Sequence, residues 1–76
     1  MNADRRKTIA KAAALMSEAK SMLETVRDEE QEYYDNMPEG LQNGDKGCAA
    51  EEAISLIEDI INSLDDAESS LEGIIQ

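Results

Sequence analysis

The sequence predicts an all-α protein: an antiparallel two-helix hairpin with coiled-coil-like heptads, completed by homo-oligomerisation into a helical bundle. Three observations predict it. Two long apolar series have heptad spacing, a loop containing Gly and Pro separates them, and basic and acidic residues are segregated along the chain. We expect one domain over residues 1–76, with helix 1 at about 4–35, the loop at about 36–46 and helix 2 at about 47–75.

Helix 1 is predicted from apolar residues whose spacings alternate between three and four, which is the a/d pattern of a heptad repeat. Leu15 and Met22 widen this stripe on its g side, and Glu30 at an a position is its one charged member. No Gly or Pro interrupts the chain before Pro38, which favours a continuous helix. The a/d residues are Ile9, Ala12, Met16, Ala19, Leu23, Val26, Tyr33 and Met37.

Helix 2 repeats the pattern without a break, and Ile54, Ile61 and Ile75 widen its stripe on the e side. Its a/d residues are Ala50, Ala53, Ile57, Ile60, Leu64, Ala67, Leu71 and Ile74. Stripes this wide exceed what one partner helix covers, so we expect a dimer of hairpins, with a higher oligomer as the alternative. The expected oligomer core is Ile9, Met16, Leu23, Val26, Ile54, Ile57, Ile61, Leu64 and Leu71.

The charge distribution favours the antiparallel orientation. Residues 1–27 carry a net charge of +3 and residues 28–76 carry −14. We expect an N-terminal basic cluster to lie beside an acidic cluster near the C-terminus, where exposed pairs contribute little energy but select the orientation. These clusters are Arg5, Arg6, Lys7 and Lys11 on one side and Asp65, Asp66, Glu68 and Glu72 on the other.

Composition narrows the functional classes. The net charge of −11 argues against direct binding to nucleic acid and to anionic membranes. We identify no signal peptide and no apolar segment of membrane length, so a cytoplasmic protein is expected. Cys48 is the only cysteine and histidine is absent, so no metal or cofactor is predicted and the thiol is expected to be inert. No nucleophile–base set or nucleotide motif is found, and we expect no enzyme activity.

The hairpin tip is the candidate partner-binding surface, because the two aromatic residues of the chain lie there among many acids. Tyr33 continues the d series and is expected to be packed, whereas Tyr34 lies outside the series. Aromatic and Met residues within a polar rim are typical of interfaces. The alternative is that these residues cap the end of the bundle core. The candidates are Glu29, Glu32, Tyr33, Tyr34, Asp35, Met37, Glu39 and Leu41.

An acidic ladder on helix 2 is the second notable surface. Carboxylate pairs recur at the b and c positions of successive heptads, about 10.5 Å apart. A solvated bundle face is the favoured interpretation, and mimicry of a nucleic acid is the alternative. The ladder is Glu51, Glu52, Glu58, Asp59, Asp65, Asp66 and Glu72.

The run DEEQEYYDNMPEGLQ from Asp28 to Gln42, followed by Lys46-Gly47 and a heptad helix, resembles small acidic helical hypothetical proteins of phages and prophages. The resemblance covers most of the chain and brings no assigned site residue. It implies a phage accessory protein acting in the host cytoplasm.

The leading hypothesis is a non-enzymatic binding protein that inhibits or modulates a host or defence protein with a basic surface. One alternative is an oligomer that sequesters a small nucleotide-like signalling ligand, with Arg27, Lys46 or the N-terminal basic cluster holding phosphate groups. Others are a nucleic-acid mimic or antitoxin-like acidic protein, and a structural or assembly protein built on the heptads.

Overall fold

The structure is a computed structural model that describes residues 1–76, and it is entirely helical. Two long helices, α1 (Ala3–Asp35) and α3 (Asp45–Ile75), pack side by side, and the one-turn helix α2 (Glu39–Gln42) connects them. The molecule is a rod of 58 × 14 × 14 Å. None of the three helices combines the length and apolar character that crossing a membrane requires.

The ends of the helices follow local chemistry. Asn2 caps α1, because its side-chain oxygen accepts a hydrogen bond of 2.8 Å from the backbone N–H of Arg5. At the other end Asn36 donates its backbone N–H to the carbonyl of Glu32 at 3.0 Å. Pro38 precedes α2, and Gly44 precedes α3, which begins two residues before the expected start at 47.

Two side-chain contacts set the register of α1 against α3. The Lys20 ammonium contacts Asp65 at 2.8 Å, and the Tyr34 hydroxyl donates a hydrogen bond to Glu51. From the first contact to the second, the residue number on α1 rises by fourteen and the residue number on α3 falls by fourteen, which is two heptads on each helix. The long helices are therefore antiparallel and stay in register along the rod.

The seam between α1 and α3 differs from the predicted a/d seam. In both helices the a and e positions form a row of less exposed residues, with spacings that again alternate between three and four, and the alanines at d positions, Ala12, Ala19, Ala53 and Ala67, are half-buried beside it. The α1 residues are Ile9, Ala13, Met16, Lys20, Leu23, Arg27, Glu30 and Tyr34, and Met37 continues the row just beyond the end of α1. Those of α3 are Gly47, Ala50, Ile54, Ile57, Ile61, Leu64, Glu68, Leu71 and Ile75.

This choice of edge has a physical reason in α3. Its e edge carries Ile54, Ile61 and Ile75, whereas Ala53 and Ala67 occupy two of the four predicted d positions. Packing on the e edge therefore removes more apolar surface from water. Opposite it, the long side chains of Lys20 and Arg27 lie in the seam, and their charged groups form ion pairs with carboxylates at its margin.

Most of the expected oligomer core consequently lies inside a single hairpin. Ile54 and Ile61 are buried at 8% exposure each, and the other members except Val26 are half-buried. Val26 is 48% exposed and lies outside the seam. The buried set of the whole chain comprises Ala13, Gly47, Ala50, Ile54 and Ile61. Such a core is small, and chains of this size commonly need a further source of stability.

The d and g positions left outside the seam form what we call the apolar face. Both antiparallel helices use their a and e positions in the seam, so a pseudo-twofold axis perpendicular to the plane of the two helices relates one to the other. This axis keeps each residue on its side of that plane, so the d and g residues of both helices lie on the same side of the rod. The cross-helix contacts Lys20–Asp65 and Tyr34–Glu51 run from e to b positions, on the other side, and Lys20–Glu68 joins two e positions. The largest side chains of the apolar face are Leu15, Met22, Val26, Tyr33, Leu56, Ile60 and Ile74, all exposed.

The expected meeting of the N-terminal basic cluster with the C-terminal acidic cluster is wrong. Residues 1–8 are exposed, and the register carries the first turns of α1 past the end of α3. Lys20 makes the cross-helix ion pairs instead, with Asp65 at 2.8 Å and Glu68 at 3.2 Å. Its hydrogen bonds with these carboxylates raise the pKa of Lys20 above its ordinary value.

Candidate functional site

The loop end is held together by contacts of α2 with both long helices. The side-chain amide of Gln42 donates a hydrogen bond of 3.1 Å to the carbonyl of Tyr34 on α1. On the α3 side, Gly47 is so close to Gln42 that an added Cβ would lie 2.0 Å from its carbonyl oxygen. Glycine is therefore required at this position by a close approach of backbone to backbone. These contacts fix the position of the connection that carries the predicted site.

The two tyrosines have the opposite roles to those expected. Tyr34 lies at an e position in the seam and donates its hydroxyl hydrogen bond to the Glu51 carboxylate. That hydrogen bond is the main reason why the pKa of Tyr34 is raised above its ordinary value. Tyr33 lies on the apolar face and is 48% exposed. Tyr33 is thus the more exposed of the two aromatic rings, and Tyr34 is the one that contacts α3.

A groove of about 510 Å³ runs between Tyr33 and the connection. Its apolar part is formed by Tyr33, Met37, Pro38 and Leu41, of which Leu41 is 60% exposed. The polar part of the lining is Asn36, Gly44, Asp45 and Lys46. The groove combines an accessible aromatic ring with exposed aliphatic surface, which is the composition of an interface core.

Carboxylates surround this groove on α1 and α2. Glu29, Glu32, Asp35 and Glu39 are all exposed. Residues 28–52 contain nine acidic residues and one basic residue, Lys46. The loop end is therefore a strongly negative surface with an apolar centre.

Several charged side chains at this end form hydrogen bonds or ion pairs within the chain. Arg27 binds the neighbouring Asp28 at 3.1 Å, and Gln31 donates to Asp35 at 3.0 Å. Glu30 is half-buried, and neither Arg27 nor Lys46 forms an ion pair with it. Arg27 is thus engaged locally instead of projecting toward a ligand.

Of the eight predicted site residues, the structure brings Tyr33, Met37 and Leu41 into one groove. It places the acidic candidates around them and removes Tyr34 to the seam. Sequence reasoning missed five lining residues: Asn36, Pro38, Gly44, Asp45 and Lys46. The sequence did place these residues in or next to the connection between the two long helices. A short connection brings the end of one helix close to the start of the next, so residues on both sides of it can line one groove.

The acidic ladder of α3 is exposed along its length. Two of its members are engaged within the hairpin, Glu51 by Tyr34 and Asp65 by Lys20. The exposed Cys48 is near the start of α3, with its sulfur 3.9 Å from the Asn43 carbonyl oxygen. The acidic ladder thus runs along the whole of α3, but two of its carboxylates contact α1.

Comparison with protein-family models, curated proteins and solved structures gives no match. The class that the fold and the site define is therefore described by geometry alone: an acidic helical hairpin with an apolar groove at its loop end.

Proposed function

We propose that this chain is a non-enzymatic binding protein that uses its loop end to bind a partner protein with a basic surface. The observation that carries the proposal is the groove in which Tyr33 and Leu41 are exposed among carboxylates. Aromatic and aliphatic side chains supply the central contacts of an interface, and a charged rim orients the partner. The resemblance of the loop segment to phage proteins makes a host or defence protein the class of partner that we propose.

The proposal includes self-association of the hairpin, with a dimer as the expected form. Two observations support it: the core of a single hairpin is small, and both long helices leave large apolar side chains exposed on one side. Contiguous exposed apolar patches commonly mark interaction surfaces. Packing two such faces together gives a four-helix bundle, in which every apolar stripe has a partner.

Capture from a cell lysate, with mass spectrometry at low and high salt, tests the loop end as a binding surface. A partner recognised by charge should be captured at low salt and lost as salt screens the carboxylates. Replacing Leu41→Ala together with Glu32→Lys and Asp35→Lys should abolish capture of that protein, and it leaves the apolar residues of α1 and α3 unchanged.

A matched control reverses charge elsewhere on the chain. Glu58→Lys with Asp59→Lys changes the net charge by the same amount as the two loop-end reversals but lies on the ladder of α3. We expect this variant to retain capture. Equal loss in both variants would show that overall charge, and not the loop end, governs binding, and the proposal would be withdrawn.

A further inference from the structure

One side of the hairpin is large enough for a stable protein interface. The whole side, 58 × 14 Å, has a projected area of about 800 Å², close to the roughly 800 Å² per partner of standard complexes, and the large apolar side chains occupy about 33 Å of its length, from Ile74 to Tyr33. Seven large apolar side chains lie on it, all of them exposed. A second copy of this chain is the occupant that we consider, because a twofold axis packs the same apolar face of each copy against the other and removes both faces from water.

Charge decides how the second copy is oriented. The half of the rod nearer the loop, residues 21–63, carries twelve acidic and two basic side chains, a net charge of −10. The half nearer the termini carries six acidic and five basic side chains, a net charge of −1. Two copies with their loop ends together would place the two strongly negative halves side by side, whereas the opposite orientation places each beside a nearly neutral half.

We propose that two copies pack apolar face to apolar face in antiparallel orientation, with the loop end of each beside the terminal end of the other. The inference rests on the self-association in the proposed function and specifies its geometry. The first turns of α1, which extend past α3 and carry Arg5, Arg6 and Lys7, then point toward the acidic loop end of the second copy. Opposite charges meet at both ends of the bundle.

This geometry makes the protein bivalent. The two loop ends lie at opposite ends of the bundle, so one dimer presents two separate acidic surfaces. Because Tyr33 belongs to the apolar face, the second copy covers that side of each groove in the dimer. Asp35, at an f position, faces away from the apolar face, and Glu32, at a c position, lies at its margin, so both carboxylates stay open to a basic partner.

The native cysteine provides a direct test of orientation. Cys48 is exposed at an f position on the side away from the apolar face, and it is the one cysteine of the chain. It lies fifteen residues from Ser63, near the middle of the rod. At about 1.5 Å per residue, nitroxide labels on Cys48 in an antiparallel dimer should be about 45 Å apart along the rod axis, and the separation across the bundle makes the full distance longer still. Loop ends placed together would bring them within roughly 30 Å, about three helix diameters.

Pulsed electron paramagnetic resonance on the labelled full chain, with sedimentation of the same sample, gives the decisive result. A dimer with the long distance supports the inference. A short distance, a monomer, or an assembly larger than a dimer would overturn it. No partner protein is needed, so this result is separate from loop-end binding: either proposal can fail while the other stands.

A pair of variants tests the face itself. Ile60→Glu places a carboxylate at the centre of the apolar face, where Ile60 is 49% exposed in the hairpin. Ser55→Glu adds the same charge to α3 at an exposed f position away from that face. We expect Ile60→Glu to weaken dimerisation by at least tenfold with helical content retained, and Ser55→Glu to leave the dimer intact. If Ile60→Glu formed dimers as stable as those of the unchanged chain, the apolar face would not be the dimer interface.

Discussion

Tyr34 is held at the loop end by two contacts, its hydroxyl with Glu51 and its carbonyl with Gln42. The next residue back, Tyr33, has neither contact and lies in the groove. Adjacent residues on a helix point about 100° apart, so one step along the chain separates a structural side chain from an accessible one. At the residue scale, one of the two adjacent tyrosines therefore contacts α3 and the other lies exposed in the groove.

The raised pKa of Tyr34 is measurable in a variant with a single tyrosine. In Tyr33→Phe, we expect the phenol absorbance to titrate with a midpoint above the ordinary 10.0 in the folded protein, and near it in denaturant. Because the folded pKa is the higher one, the hydrogen bond stabilises the fold below pH 10 and its contribution is lost as the pH rises through the raised value. Equal midpoints in the two states would refute the contact with Glu51.

Gly47 is the residue at which substitution should be most costly for its size. In Gly47→Ala the new methyl group would overlap the Gln42 carbonyl, so we expect a net loss of about 1–3 kcal/mol. Thermal unfolding followed by circular dichroism should show a midpoint lower by about 4–8 °C per kcal/mol.

Gly73→Ala is the matched control, because nothing lies within 4 Å of its added Cβ. Alanine favours helix over glycine, so this variant should gain at most about 1 kcal/mol. If Gly47→Ala proved as stable as Gly73→Ala, the close packing of α2 against α3 would be wrong.

At the scale of the elements, Lys20 joins α1 to α3 through Asp65 and Glu68. We expect Lys20→Gln to lower the unfolding midpoint at low salt, and the difference to shrink at high salt as the charges are screened. Because pairing raises the pKa of Lys20, its stabilisation is present below pH 10.5 and is lost as the pH rises through the raised value.

Lys11→Gln removes the same charge from a residue that forms no ion pair in the hairpin, and it should change the midpoint less. Thermal melts of both variants across a salt series provide the comparison. Identical behaviour would mean that Lys20 contributes through net charge alone and not through its contacts.

At the scale of the whole molecule, association and stability are coupled. The proposed dimer would bury the apolar face only in the folded state, so the unfolding midpoint should rise with protein concentration. Salt would screen both the net charge of −11 on each copy and the attraction between the basic N-terminal turns and the acidic loop ends, so the concentration series is compared at one fixed salt concentration. Calorimetry over a hundredfold range of protein concentration measures the effect. A constant midpoint would identify a protein that is stable as a single hairpin.

The elements were predictable from the sequence because each depends on local chemistry. Heptad spacing and the absence of Gly and Pro define α1, and Pro38 with the glycines of the connection defines where the chain reverses. The acidic and apolar character of the loop end also follows from composition. The pairing of particular residues did not follow, as the separation of Tyr33 from Tyr34 shows, since it depends on which edge of each stripe meets the other helix.

The sequence by itself determined an all-helical chain, two long amphipathic helices and the site of the reversal, because period and turn chemistry are local properties. The tertiary structure alone decided the seam. A stripe three positions wide satisfies heptad spacing with either its a/d or its a/e edge, and the isoleucines on the e edge of α3 bury more apolar surface. That choice moved Tyr34 into the seam, left Tyr33 and Val26 on the apolar face, and carried the basic N-terminal turns beyond α3.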